Sequence, residues 1–170
     1  MKKHIIRAGL LILIIIVALS GYYVWKCIRL YEAKCILSRI MNEDNKANIC
    51  LTIKRIPDGI LYSTALGLEE MRESDSSNGI EVIVVDGENL AEHIYLFEDI
   101  KKAKLTPVKK ESSYEHISLY YLLENKISGD SFEVAMFGVN RESLGGVYIN
   151  GIEVNYDKCL VDVVNPYISQ

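Results

Sequence analysis

Residues Ala8–Trp25 read AGLLILIIIVALSGYYVW, eighteen positions without a charge. Lys2, Lys3 and Arg7 precede the run, and Lys26 and Arg29 follow it. At about 1.5 Å per residue, a helix this long spans nearly all of a bilayer's hydrocarbon core. Ten of the positions are Leu, Ile or Val. Each favours insertion by about 0.3–0.6 kcal/mol near the bilayer centre. Tyr22, Tyr23 and Trp25 close the run with rings suited to headgroup level, and Lys26 is the first charge beyond them. Residues 1–25 therefore predict a basic N-terminus and a membrane anchor, with the bilayer as partner through residues 8–25 and Tyr22, Tyr23, Trp25 and Lys26 at the interface. Ala18-Leu19-Ser20 also offers signal-peptidase spacing, so a cleaved signal peptide is the competing reading. The length of the run and its aromatic end favour an uncleaved anchor. Basic residues flank both ends, and the short N-terminal tail favours N-inside, with the following domain outside the cytoplasm.

Charge divides along the chain. Residues 1–42 hold seven Lys+Arg against one acid, Glu32, whereas residues 43–170 hold twelve against twenty-two. A domain that acidic is expected to repel nucleic-acid backbones and anionic lipid heads, so nucleic acid is not an expected partner.

From Lys26 to Met41 there is no Gly or Pro, and apolar residues recur at Ile28, Tyr31, Cys35, Leu37, Ile40 and Met41. That spacing predicts one long helix emerging from the membrane as a stalk over residues 26–46, with a domain over 47–170. A long helix with a globular head invites comparison with the pilins. Their acidic residue near the start of the apolar run has no counterpart before Glu32.

The domain reads as α+β, a small mainly antiparallel sheet packed by two helices. Ile49–Ile56 alternates as a half-buried strand, Pro57-Asp58-Gly59 is a turn, and Ile60–Leu66 returns as the second arm of a hairpin. Gly67–Gly79 is polar and predicts a mobile loop with one helical turn at Leu68–Arg72. Ile80–Val85 predicts a buried strand ending at Asp86, whose side chain caps a helix over Glu88–Lys104 with Leu90, Ile94, Phe97 and Ile100 on its buried stripe. Leu105–Lys109 around Pro107 predicts an edge strand. His116–Leu123 and Phe132–Gly138 follow as strands. Asn150-Gly151 sets a tight hairpin pairing Ile149 with Ile152. A last helix, Asp157–Val164, is expected to stop at Asn165-Pro166.

Chemistry-bearing patterns are sparse. His116, Ser118 and Tyr120 share a strand face, but there is no GxSxG elbow. A catalytic reading would need Asp86 within reach of His93 or His116. The spacing of Cys27, Cys35, Cys50 and Cys159 fits no zinc site, and Glu69, Glu70, Glu73 and Asp75 lack EF-hand spacing. No phosphate-loop pattern occurs. These residues assign no catalytic role, metal or cofactor, and the domain is read as a non-catalytic binding module for a protein, peptide or envelope component. Its candidate partner surface is the loop acids Glu69, Glu70, Glu73 and Asp75 with the strand face of His116, Ser118 and Tyr120. The alternative is an assembly subunit using the anchor helix as interface, with Cys27 and Cys35 toward partner helices. Cys50 and Cys159 are expected to pack as small hydrophobes, a disulfide between them being the other option.

The order FEVAMFG (132–138), VYINGIEV (147–154) and VVNPYI (163–168) is similar to that in small, uncharacterised envelope proteins of low-GC Gram-positive bacteria, which carry an anchor or lipoprotein signal and one α+β domain. The resemblance covers about the last forty residues and implies an envelope location and this fold type. It carries over no catalytic residue. No lipobox cysteine follows Ser20 or Gly21.

Overall fold

One helix, α1 (Lys2–Met41), runs without a break from the apolar stretch into the body of the protein. In this computed structural model, which describes residues 2–57, 66–109, 116–140 and 143–168, its two halves meet different surroundings. Over Leu10–Trp25 most of the large apolar side chains are exposed. From Leu30 onward the helix turns Leu30, Ala33, Leu37, Ile40 and Met41 into the core. Residues three or four apart share one helix face, which is how a single helix supplies a core stripe. The second half of the expected stalk, from Leu30 to Met41, therefore lends one face to the core. Ile28 and Tyr31, read as part of the same apolar stripe, are 52% and 70% exposed on the other side.

Beneath α1 lies a six-stranded antiparallel sheet in the order β2-β1-β3-β4-β5-β6. Its strands are β1 (Ile49–Arg55), β2 (Glu81–Asp86), β3 (Ile117–Asn125), β4 (Ser131–Asn140), β5 (Ser143–Ile149) and β6 (Ile152–Val154). The register aligns one inner row across all six: Ile83, Ile53, Tyr121, Val134, Ile149 and Ile152. Strand alternation sends these side chains to one face, where they join the α1 stripe. Tyr121 is fully buried, and its hydroxyl donates to the Leu160 carbonyl at 3.0 Å, so the one polar atom in the row is satisfied. Short helices close the same layer: α3 (Gly87–Ala91), α4 (Leu96–Lys102), α5 (Cys159–Asp162) and α6 (Asn165–Ile168). Leu90, Phe97, Ile100, Leu160 and Ile168 are their core contacts.

The fold class is α+β, with four local departures from expectation. The predicted Glu88–Lys104 helix divides into α3 and α4 around a turn at His93-Ile94-Tyr95, three successive residues of middling helix propensity. Pro166 does not stop a helix. It is the second residue of α6, where its missing N–H is not needed. β2 is an edge strand, not a buried one, and Val84 is 64% exposed. Finally, β1 pairs with β2 and β3, while Asp58, Gly59 and nearly all of the expected strand Ile60–Leu66 fall outside the described residues.

Other expectations match. Asn150 and Gly151 take φ of 45° and 79°, and Ile149 pairs with Ile152. Pro107 bridges to Val154 at the β6 edge, with the Val108 N–H donating to the Glu153 carbonyl at 3.0 Å. A proline-bearing segment thus covers this edge. Cys50 and Cys159 are free thiols, and no disulfide joins them. Cys50 points away from its neighbours Ile49 and Leu51, whereas Cys159 packs against their side of the sheet.

Candidate functional site

The outer face of the sheet carries a second row in register: Lys54, Tyr120, Ala135, Tyr148 and Glu153. Part of it is roofed by α2 (Leu68–Glu73), which contains the helical turn expected at Leu68–Arg72, and by the 3₁₀ turn Ser76–Asn78, where mobile loop was expected. Met71 and Ile80 close a small apolar cluster with Ile117, Tyr120, Ala135 and Phe137. Lys54 holds the roof in place. Its ammonium donates to the carbonyls of Met71 (3.2 Å), Arg72 (2.5 Å) and Ser74 (2.7 Å), the free acceptors at the C-terminal end of α2. Arg72 adds a two-pronged ion pair, its Nε and Nη2 each 2.6 Å from a Glu133 oxygen, while Nη1 donates to Glu69. Gly67–Gly79 is consequently an ordered cover with only its outer surface polar.

This cover changes the candidate partner surface. Tyr120 is 3% exposed and lies under α2, so it cannot present its ring to a partner. Burial first, then the neighbouring Glu133 carboxylate, pushes its phenol well above the ordinary tyrosine range. Ser118 is half-buried and donates to the Met136 carbonyl. His116 is half-buried too, its Nδ1 accepting the Leu66 N–H at 3.1 Å. Glu69, Glu70, Glu73 and Asp75 do remain exposed, forming an acidic ridge along the outside of the cover.

The catalytic pairing of Asp86 with a histidine finds little geometry. Asp86 Oδ1 accepts the backbone and side-chain N–H groups of Asn89, each at 3.0 Å, as the N-cap of α3. Asp86 lies opposite Cys50, whereas the Ser118 carbonyl beside His116 accepts from Ile56 at the far end of β1. Six residues of strand put roughly 20 Å between those ends. His93 packs edge-on against Tyr167 with ring centroids 5.6 Å apart.

The chain matches no family model, and neither a curated protein nor a solved structure matches it.

A second constellation sits where α1 leaves the head. Tyr22 and Trp25 stack at 5.8 Å, both exposed. Beside them, Lys26 is turned inward. It is 2% exposed, with its ammonium 4.7 Å from the Tyr22 ring centre and 3.5 Å from the Val108 carbonyl. Two turns on, Lys34 donates to the carbonyls of Lys101 (3.2 Å) and Ala103 (2.6 Å). The loss of hydration lowers its pKa, with Cys159 and Asp157 opposing. Lysines of α1 thereby fasten the segment from Lys101 to Lys109 along the helix. Sequence reading missed Lys34 and Lys54 because a lysine that ends on backbone carbonyls carries no local signature.

Proposed function

We propose that this protein is a membrane-tethered, non-catalytic binding module whose head lies outside the cytoplasm, in the cell envelope. One observation supports the reading above the others. The same unbroken helix is apolar and exposed over its first half, long enough to cross a membrane, and is core over Leu30–Met41. The head is then held close against the bilayer, and it offers the ridge Glu69, Glu70, Glu73 and Asp75 to a basic protein, peptide or envelope component. Protease treatment of intact cells should digest the head and spare the first 25 residues. Capture with the full chain in mild detergent should return a partner that the variant Glu69→Gln, Glu70→Gln, Glu73→Gln, Asp75→Asn no longer holds. An identical set of captured species from both proteins would refute the ridge as the surface.

A separate observation favours a second role, in assembly through α1. At 100° per residue, Val24, Ile28, Tyr31 and Cys35 fall within about 60° of arc, on the side opposite the buried stripe. Ile28 and Tyr31 lie beyond the aromatic belt and are still exposed. Thiol crosslinking in native membranes should then join chains through Cys35 more readily than through Cys27. A chain that stays monomeric under the crosslinker would leave the tether alone.

A further inference from the structure

The net negative charge of the head conceals a basic strip. From Lys101 to Lys110 the sequence is KKAKLTPVKK, five lysines and no acid, whereas the other 118 residues of the 43–170 segment hold seven Lys+Arg against twenty-two acids. The structure places residues 101–109 of this strip at the end of the head nearest the apolar half of α1. Lys34 grips its start through the Lys101 and Ala103 carbonyls. Its other end, Val108 and Lys109, forms an open recess with Leu19, Tyr22, Tyr23 and Lys26. The strip therefore climbs beside the helix from the level of residue 34 to that of residues 19–26. Thr106, Pro107 and Val108 are pinned to the β6 edge by the Pro107–Val154 bridge and by hydrogen bonds to Glu153 and Asn155. It is a fixed strap.

We infer that this strap binds the anionic phospholipid headgroups of the leaflet on the head's side, an inference that rests on α1 being a membrane anchor. Its far end is level with the closing turns of the apolar run. The headgroup layer adds about 5–7 Å outside the hydrocarbon, which reaches from Trp25 to about Arg29 along the helix. Lys109, beside Tyr22, Tyr23 and Lys26, is at the inner edge of that layer, while Lys104 and Lys102 follow outward toward the level of Lys34. All three are exposed, and among the described residues none makes an ion pair or side-chain hydrogen bond, while Lys101 is engaged by Glu98 at 2.7 Å. The acids elsewhere on the head repel a bulky polyanion, whereas an anionic membrane surface lies on the strap's side of the head. Charge and position together select lipid.

The test uses the full chain in nanodiscs of phosphatidylcholine alone or with 30% phosphatidylglycerol. Neutral N-hydroxysuccinimidyl acetate labels the lysines, and mass spectrometry reads each site. Acetylation of Lys109 should slow about fivefold in the anionic discs, the factor that roughly 1 kcal/mol per headgroup-bound lysine represents. Lys104 should slow less and Lys102 least. Lys126 is exposed in the β3–β4 turn and should not change. Half-molar salt should abolish the difference. Equal rates at Lys109 in both discs, or equal slowing at Lys126, would overturn the inference. Failure of the chain to resist carbonate extraction from either lipid would instead remove the anchor itself.

Discussion

The ammonium of Lys54 ends 2.7 Å from the carbonyl oxygen of Ser74, twenty residues further along the chain. With the Met71 and Arg72 carbonyls it fills all three donor positions. Replacing Lys54 with Met keeps most of the stem but leaves buried carbonyls without a donor. The expected loss is about 2–3 kcal/mol of head stability, because a buried acceptor then bears its full desolvation cost. Urea unfolding in detergent would measure it. Amide exchange over 68–78 should quicken before the rest of the sheet does.

Leu37 is fully buried between α1 and the sheet. Leu37→Ala should cost about 3 kcal/mol, within the range for a large-to-small core change. Leu13→Ala, on the exposed half of the same helix, should leave the melting of the head unaltered. Thermal melts of both variants in one detergent would compare them. Equal melting temperatures would mean the second half of α1 is no part of the core.

Gly87 packs so closely on the 3₁₀ turn Lys46–Asn48 that a Cβ there would lie 1.5 Å from the Lys46 carbonyl oxygen. The obstacle is backbone and cannot rotate aside. Gly87→Ala should destabilise the head by about 3 kcal/mol, at the upper end of over-packing costs. Gly129→Ala, which meets nothing within 4 Å, pays only for its positive φ and should cost less. Parallel denaturation curves decide the ranking.

Acid should loosen the far end of α1. The Arg39 guanidinium grips Asp130 through two hydrogen bonds of 2.9 and 2.7 Å and holds that carboxyl below its usual range. Hydrogen bonds from Asn125, then from the Asn45 backbone, lower Glu43 in the same way. A carboxylate depressed in the folded state stabilises the fold above its unfolded pKa, near 4, and that stability disappears as pH falls through the folded value. The melting temperature should be flat from pH 7 to about 5 and decline below about 4. Asp130→Asn should make the decline shallower.

Elements governed by local chemistry were legible in the sequence. Asp86 as a cap and Asn150-Gly151 as a hairpin turn depend on two or three residues, and the structure has both. Partnership over distance was harder to see. Around α1 the apolar residues lie on two sides, so Ile28 and Tyr31 were grouped with Leu37 and Ile40, although only the latter pair is buried. The helical turn at Leu68–Arg72 was legible, but the ordering of Gly67–Gly79 as a cover was not, because Met71 is its one large buried apolar side chain between Leu68 and Gly79 and the lysine that fastens it comes from β1. The acidic ridge was readable as exposed charge. The burial of Tyr120 was not, since it depends on that same cover.

Between Gly21 and Asn42 the helix has no glycine or proline at which it could bend or swivel. A flexible linker would let the head sweep a hemisphere and capture targets many nanometres away. This rod permits no such search. With α1 seated in a bilayer as proposed, whatever the head meets would come to it within about one head's width of the membrane, and any tilt of the apolar half would turn the whole head with it.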